Sequence, residues 1–124
     1  LPKETLTFHH VGIATEFGLE PVPRDRGSPV LLLADSHGLV FNLDGDMHAR
    51  GAGLPDHLMH QFGFAIDRIA RRGSAATSVR IDLARKFRGD NAYRDGKKLI
   101  VWCFSAREFT EANGWRKLAL TRPK

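Results

Sequence analysis

The chain reads as an α/β protein, a three-layer α/β/α sandwich built on a mostly parallel sheet, and two apolar runs and the helical stripes between them predict this. Val30-Leu31-Leu32-Leu33-Ala34 is an unbroken apolar stretch set between Pro29 and a polar turn. Such a run is expected of a strand buried on both faces. Lys98-Leu99-Ile100-Val101-Trp102-Cys103-Phe104-Ser105 repeats the pattern and predicts a second strongly buried strand. Between the two runs, apolar residues recur at four-residue spacing, the mark of a helix with one buried stripe. Alternation of strand and helix predicts right-handed crossovers that place helices on both faces of the sheet.

Size and charge narrow the classes. At 124 residues the chain suits one domain, with residues 1–28 read as an N-terminal extension or the tail of an upstream part. No apolar run is long enough to predict a transmembrane segment. A net charge of +5 favours acidic partners. The basic residues are scattered and carry no aromatic-interleaved RNA motif, so no nucleic-acid partner is expected. Cys103 is the single cysteine and reads as a small buried hydrophobe. The chain opens at Leu1-Pro2 without an initiator Met or a signal-like segment, as expected of a fragment.

Taken in order, Thr5 to Ala14 predicts a weak strand, and Gly18 to Ser28, with Pro21 and Pro23 among charges, a connecting loop. The buried strand at 30–34 leads into a long loop from Leu39 to Gly53. Leu54 to Gly63 predicts a short helix with Pro55 in its first turn, Gly63 past its end and a buried stripe of Leu54, Leu58 and Phe62. His57 and His60 then fall on the solvated side. Ala65 to Arg71 predicts a less buried strand. Ser74 is placed to cap a helix running to about Arg88 with Val79, Leu83 and Phe87 inward. Gly89-Asp90-Asn91 and Asp95-Gly96 predict turns, Ala106 to Ala112 one or two helical turns, and Trp115 to Leu120 a final strand.

The chemistry concentrates behind the first buried strand. In open α/β sheets ligands bind at the carboxyl ends of the strands, where Asp35-Ser36-His37 stands. A hydroxyl on that turn meets nearby backbone N–H groups able to receive an oxyanion, which makes Ser36 the candidate nucleophile. A Ser or Asp after a strand is also an ordinary turn former or helix cap. Two other readings fit less of the chain. A response-regulator receiver needs a phosphoacceptor carboxylate where this chain has Phe104-Ser105. A metal-dependent glyoxalase-like module, suggested by Phe8-His9-His10-Val11-Gly12-Ile13-Ala14, needs paired βαβββ units. No CxxC or HExxH pattern points to a metal, and no cofactor is expected.

The order and spacing of four blocks carry a resemblance. Val30-Leu31-Leu32-Leu33-Ala34-Asp35-Ser36-His37 is similar to the Gly-Asp-Ser block of the SGNH hydrolase superfamily. Gly53-Leu54-Pro55-Asp56-His57-Leu58, Gly73-Ser74-Ala75-Ala76 followed by Arg80, and Lys98 to Phe109 follow it. Over roughly residues 27 to 120 the chain resembles the SGNH-like domain of the alginate O-acetyltransferases AlgX and AlgJ. The resemblance implies an SGNH/flavodoxin-like fold and a serine-dependent acyl transferase or esterase acting on O-acetyl groups of a polysaccharide. It also implies an acyl donor as second partner and a periplasmic or extracytoplasmic location. Ser36 would be the nucleophile, with its own N–H and those near Gly73 and Ser74 as oxyanion donors. Asp35 would shape the turn, and Arg80 and Arg107 would face an acidic sugar.

The sequence departs from that pattern in two places. Ser105 stands where many members carry Asn. No histidine follows His60, so a C-terminal Asp-x-x-His is absent, and His9-His10 has no Asp two residues before either position. A serine hydroxyl needs an imidazole to take its proton. His37, adjacent in sequence but expected to diverge from Ser36, and His48, on the long loop, are the candidates within the chain. The alternative is a catalytically inactive SGNH-like domain that binds acidic polysaccharide.

Overall fold

The computed structural model describes residues 2–73, 76–111 and 113–121. It is a mixed α/β protein built on a three-stranded parallel sheet. The elements in chain order are β1 (Ile13–Thr15), β2 (Gly18–Glu20), β3 (Val30–Ala34), α1 (Leu54–Phe62), β4 (Asp67–Ala70), α2 (Ala76–Gly89), α3 (Asn91–Gly96) and β5 (Leu99–Cys103). Single 3-10 turns at Ser36–Gly38, Gly45–Met47 and Ala106–Phe109 complete it. The strand order is β4-β3-β5, with Leu31 opposite both Asp67 and Ile100.

β3 is the middle strand, and all five of its residues are buried. Its side chains alternate between two cores. Leu31 and Leu33 pack with Val79, Leu83 and Phe87 of α2, Tyr93 of α3 and Ile69. Val30, Leu32 and Ala34 pack with Met59 of α1 and with Ile66. One helix thus lies on one face and two on the other. Strand order gives the reason. From β3 the chain crosses to β4 on one side and then returns past β3 to β5 on the other. Crossovers of one hand that run in opposite directions place their helices on opposite faces.

Several expectations are corrected. The inward face of α1 is Pro55, Asp56 and Met59, with Leu58 of the expected stripe half-buried against the same core, whereas Leu54 and Phe62 are 37% and 38% exposed. Asp56 turns inward because its Oδ2 accepts from Gly53 N and Asn42 Nδ2, both at 2.9 Å. That rotates Met59, three residues on, toward the sheet, and Phe62 stacks on Phe64 instead. β5 is an edge strand whose first residues, Leu99 and Ile100, are exposed, because it has β3 on one side and no strand on the other among the described residues. The expected final strand is not formed among the described residues 113–121. Ile66 and Asp67 are fully buried, so β4 lies deeper than its charge content suggests. Asp90 caps a short helix, α3, by accepting from Tyr93 N, where turns were expected. β2 occupies the start of the expected loop, paired antiparallel with β1.

The N-terminal segment is tied to this frame. Arg24 donates to Arg68 O at 2.9 Å, Asp25 N to Ile66 O at 3.0 Å, and Val22 joins the α1 core. No helix among the described residues is long and apolar enough to cross a membrane.

Candidate functional site

The carboxyl ends of all three parallel strands converge on one cleft of about 290 Å³. Asp35, Ser36 and His37 follow β3, Gly73 follows β4, and Ser105, Arg107 and Glu108 follow β5. Chains leaving β3 and β4 run to opposite faces of the sheet, so the space above those neighbouring strand ends stays open.

Asp35 organises the cleft. It is buried, and it caps the 3-10 turn at Ser36–Gly38. Its Oδ1 accepts from the backbone N–H of His37 at 2.9 Å and lies 2.9 Å from His37 Nδ1. Its Oδ2 accepts from Ser105 N at 3.1 Å. A carboxylate only accepts, so Nδ1 donates in this contact, and in the neutral ring Nε2 is then the lone-pair acceptor. The His37 side chain is 64% exposed, which keeps that nitrogen open to a ligand. Ser36, between the two, is half-buried. No hydrogen bond joins its hydroxyl to an imidazole among the described residues.

Cys103, opposite Ala34 at the end of β5, places a thiol close to this turn. Burial, and then the negative charge of Asp35, pushes its thiol above the ordinary value. A raised thiol pKa disfavours the reactive thiolate.

The structure therefore brings together Ser36, His37, Gly73, Arg107 and Asp35 among the residues singled out in the sequence. Ser74 lies outside the described residues. His48 is elsewhere: its ring packs beside Phe41 at 6.0 Å, at the end of the 3-10 turn of the long loop, and it does not line the cleft. Arg80 is also elsewhere. Its guanidinium sits over the rings of Trp102 and Trp115, at 5.8 and 5.6 Å, and donates to Arg116 O, so its charge serves packing instead of facing the cleft. Sequence reasoning missed the Asp35–His37 pair and Glu108. The pair had a signal, since an Asp side chain characteristically accepts from the backbone two residues on. Glu108 had none, because only the fold brings the end of β5 to this turn.

Comparison with protein-family models, with curated proteins and with solved structures finds no match.

Proposed function

We propose that this chain is a serine-dependent acyl transferase or esterase acting on O-acetyl groups of a polysaccharide, with an SGNH-like α/β/α architecture. One observation carries the reading: Ser36 stands at the carboxyl end of the central strand, between the two members of an Asp35–His37 pair, in an open cleft. In this reading Ser36 Oγ attacks the acetyl carbonyl carbon while its proton passes to His37 Nε2. Backbone N–H groups of Ser36 and of the Gly73 turn hold the negative oxygen. Collapse expels the alkoxide, which takes the proton from His37, and leaves an acetyl-serine. Water or a sugar hydroxyl then attacks that ester, giving its proton to His37 Nε2; collapse breaks the Ser36 Oγ–acyl bond, releases acetate or the acetylated sugar, and returns the proton to Ser36 Oγ. Arg107 offers a cation at the cleft for an acidic sugar.

The second reading, an inactive domain that binds acidic polysaccharide, is favoured by the missing hydrogen bond between Ser36 and an imidazole. Catalytic hydrogen bonds often tighten only with substrate present, so turnover decides between them. The test is hydrolysis of 4-nitrophenyl acetate by the wild-type chain and by Ser36→Ala. The proposal expects turnover that the variant loses by about 100-fold or more, in the range typical of removing a nucleophile, with its fold intact by circular dichroism. Equal rates remove Ser36 from the mechanism. Salt-sensitive glycan binding without turnover establishes the second reading.

A further inference from the structure

A second cleft, of about 190 Å³, opens between the segment at residues 21–24 and the start of α1. Arg24, Arg50 and Arg68 line it with a single carboxylate, Asp56. Three guanidiniums against one carboxylate leave an excess of positive charge in a small space. Arg68 is half-buried, and its side chain donates to the neutral amide oxygen of Asn42 instead of an anion. Burial, and then the charge of Arg24, holds its guanidinium below the ordinary value. Among the described residues Arg50 has a loose partner, Glu20 at 4.0 Å. Arg24 lies 3.9 Å from Asp67, whose charge is already met by Lys97 at 3.1 Å.

Asp56 supplies the second, independent observation. It is 4% exposed, and while Oδ2 takes two donors, Oδ1 is buried with no hydrogen-bond partner among the described residues. A buried carboxylate oxygen without a donor is costly. The cleft thus presents a half-buried cation, Arg68, with no carboxylate in salt-bridge contact among the described residues, and an acceptor that lacks a donor, beside the apolar surface of Pro21, Pro55 and Met59. A volume below the roughly 300 Å³ at which drug-sized sites begin restricts the occupant to a small molecule.

We infer that this cleft binds a small hydroxycarboxylate, its carboxylate on Arg68 and Arg50, its hydroxyl donating to Asp56 Oδ1 and its short carbon chain against Pro55 and Met59. The carboxylate answers the planar fork of a guanidinium, and the hydroxyl is the donor Asp56 lacks. The site is separate from the Ser36 cleft and shares no lining residue with it.

The test is titration of the 15N-labelled chain with L-lactate, followed by amide shifts, beside propionate, which lacks the hydroxyl, and propane-1,2-diol, which lacks the carboxylate. The inference expects saturable shifts at Arg68, Asp56 and Met59 with lactate, and binding of both other compounds weaker by about tenfold or more, the equivalent of one lost polar contact. Arg50→Gln, an exposed position that leaves the core intact, and Arg68→Gln should each weaken lactate by about the same factor. Ser36→Ala should bind lactate as the wild type does, which separates this site from the proposed acyl-transfer cleft. Absence of saturable shifts, equal binding of propionate, unchanged affinity in both Arg variants, or shifts confined to residues 35–37 overturns it.

Discussion

The backbone N–H of Ser105 donates to Oδ2 of Asp35 at 3.1 Å, and this contact joins the carboxyl ends of β3 and β5 across 70 residues of chain. The other oxygen of the same carboxylate holds both the backbone and the ring of His37. One buried side chain therefore sets the turn that carries Ser36, the orientation of His37 and the spacing of two strand ends.

Replacing Asp35 by Ala leaves the N–H groups of His37 and Ser105 without their acceptor. A hydrogen bond to a charged acceptor contributes about 1.5–3 kcal/mol, less where water can reach the donor as it can at exposed His37 and half-buried Ser105, so Asp35→Ala is expected to lower unfolding stability by about 1–3 kcal/mol. Asp35→Asn keeps an acceptor oxygen and should lose less than Ala. Urea unfolding of both variants measures this. Equal stability of wild type and Asp35→Ala would show that the contacts contribute nothing.

Asp67 predicts an acid limb to the stability curve. At the opposite end of the sheet, Tyr93 Oη donates to Asp67 Oδ2 at 2.5 Å and Lys97 Nζ lies 3.1 Å from the same oxygen, with both charged side chains buried. Burial alone would raise the Asp67 carboxyl, but hydrogen bonds from Tyr93, Lys97 and Arg68 N outweigh it and hold the carboxyl below its ordinary value. Its folded pKa is thus lower than its unfolded one. The resulting stability is present above about pH 4 and is lost as the pH falls through the folded value. Tyr93→Phe removes one of the lowering hydrogen bonds and leaves the burial. It is expected to cost about 1–3 kcal/mol near neutrality and to move the acid limb to higher pH. Urea midpoints between pH 3 and pH 7 measure both, and an acid limb that does not move denies the coupling.

What could be read from the chain was what local pattern decides. The run at 30–34 is buried on both faces because its neighbours are on both sides, and continuous apolarity reports that directly. Val79, Leu83 and Phe87 face the core as their spacing implies. β5 carries an equally apolar run yet lies at an edge, since composition does not count the strands beside it. α1 turned differently from its leucine spacing because Asp56 answers Asn42, fourteen residues away. The candidate site divides along the same line. Ser36 and His37 were visible as the turn after a strand, whereas Arg80 met Trp115, a contact across 35 residues that no local pattern encodes.

The central and edge strands should respond differently to truncation. Leu32 is fully buried between Met59 and Ile66, so Leu32→Ala is expected to cost about 2–5 kcal/mol through lost contacts and a residual cavity. Leu99 is 49% exposed at the edge, and Leu99→Ala should cost about 1 kcal/mol or less. Thermal unfolding of the pair measures the contrast. Similar losses would mean that the outer face of β5 is covered in solution.

Gly38 fixes how closely the Ser36 turn lies on the strand that precedes it. A Cβ at this position would stand 2.4 Å from Cβ of Ala34, with Ala70 Cβ at 3.9 Å. Neither neighbour has a flexible end to move aside, because both are alanines in adjacent strands. Gly38→Ala must therefore lift the turn from the sheet or part β3 from β4. Overpacking of this kind costs about 1–3 kcal/mol. If the turn lifts, Asp35 can no longer reach both His37 and Ser105. The amide resonances of those two residues should then shift further than those of Val79 and Leu83, which lie on the other face of the sheet from α1. Uniformly small shifts with unchanged stability would mean that the turn has room the geometry does not give it.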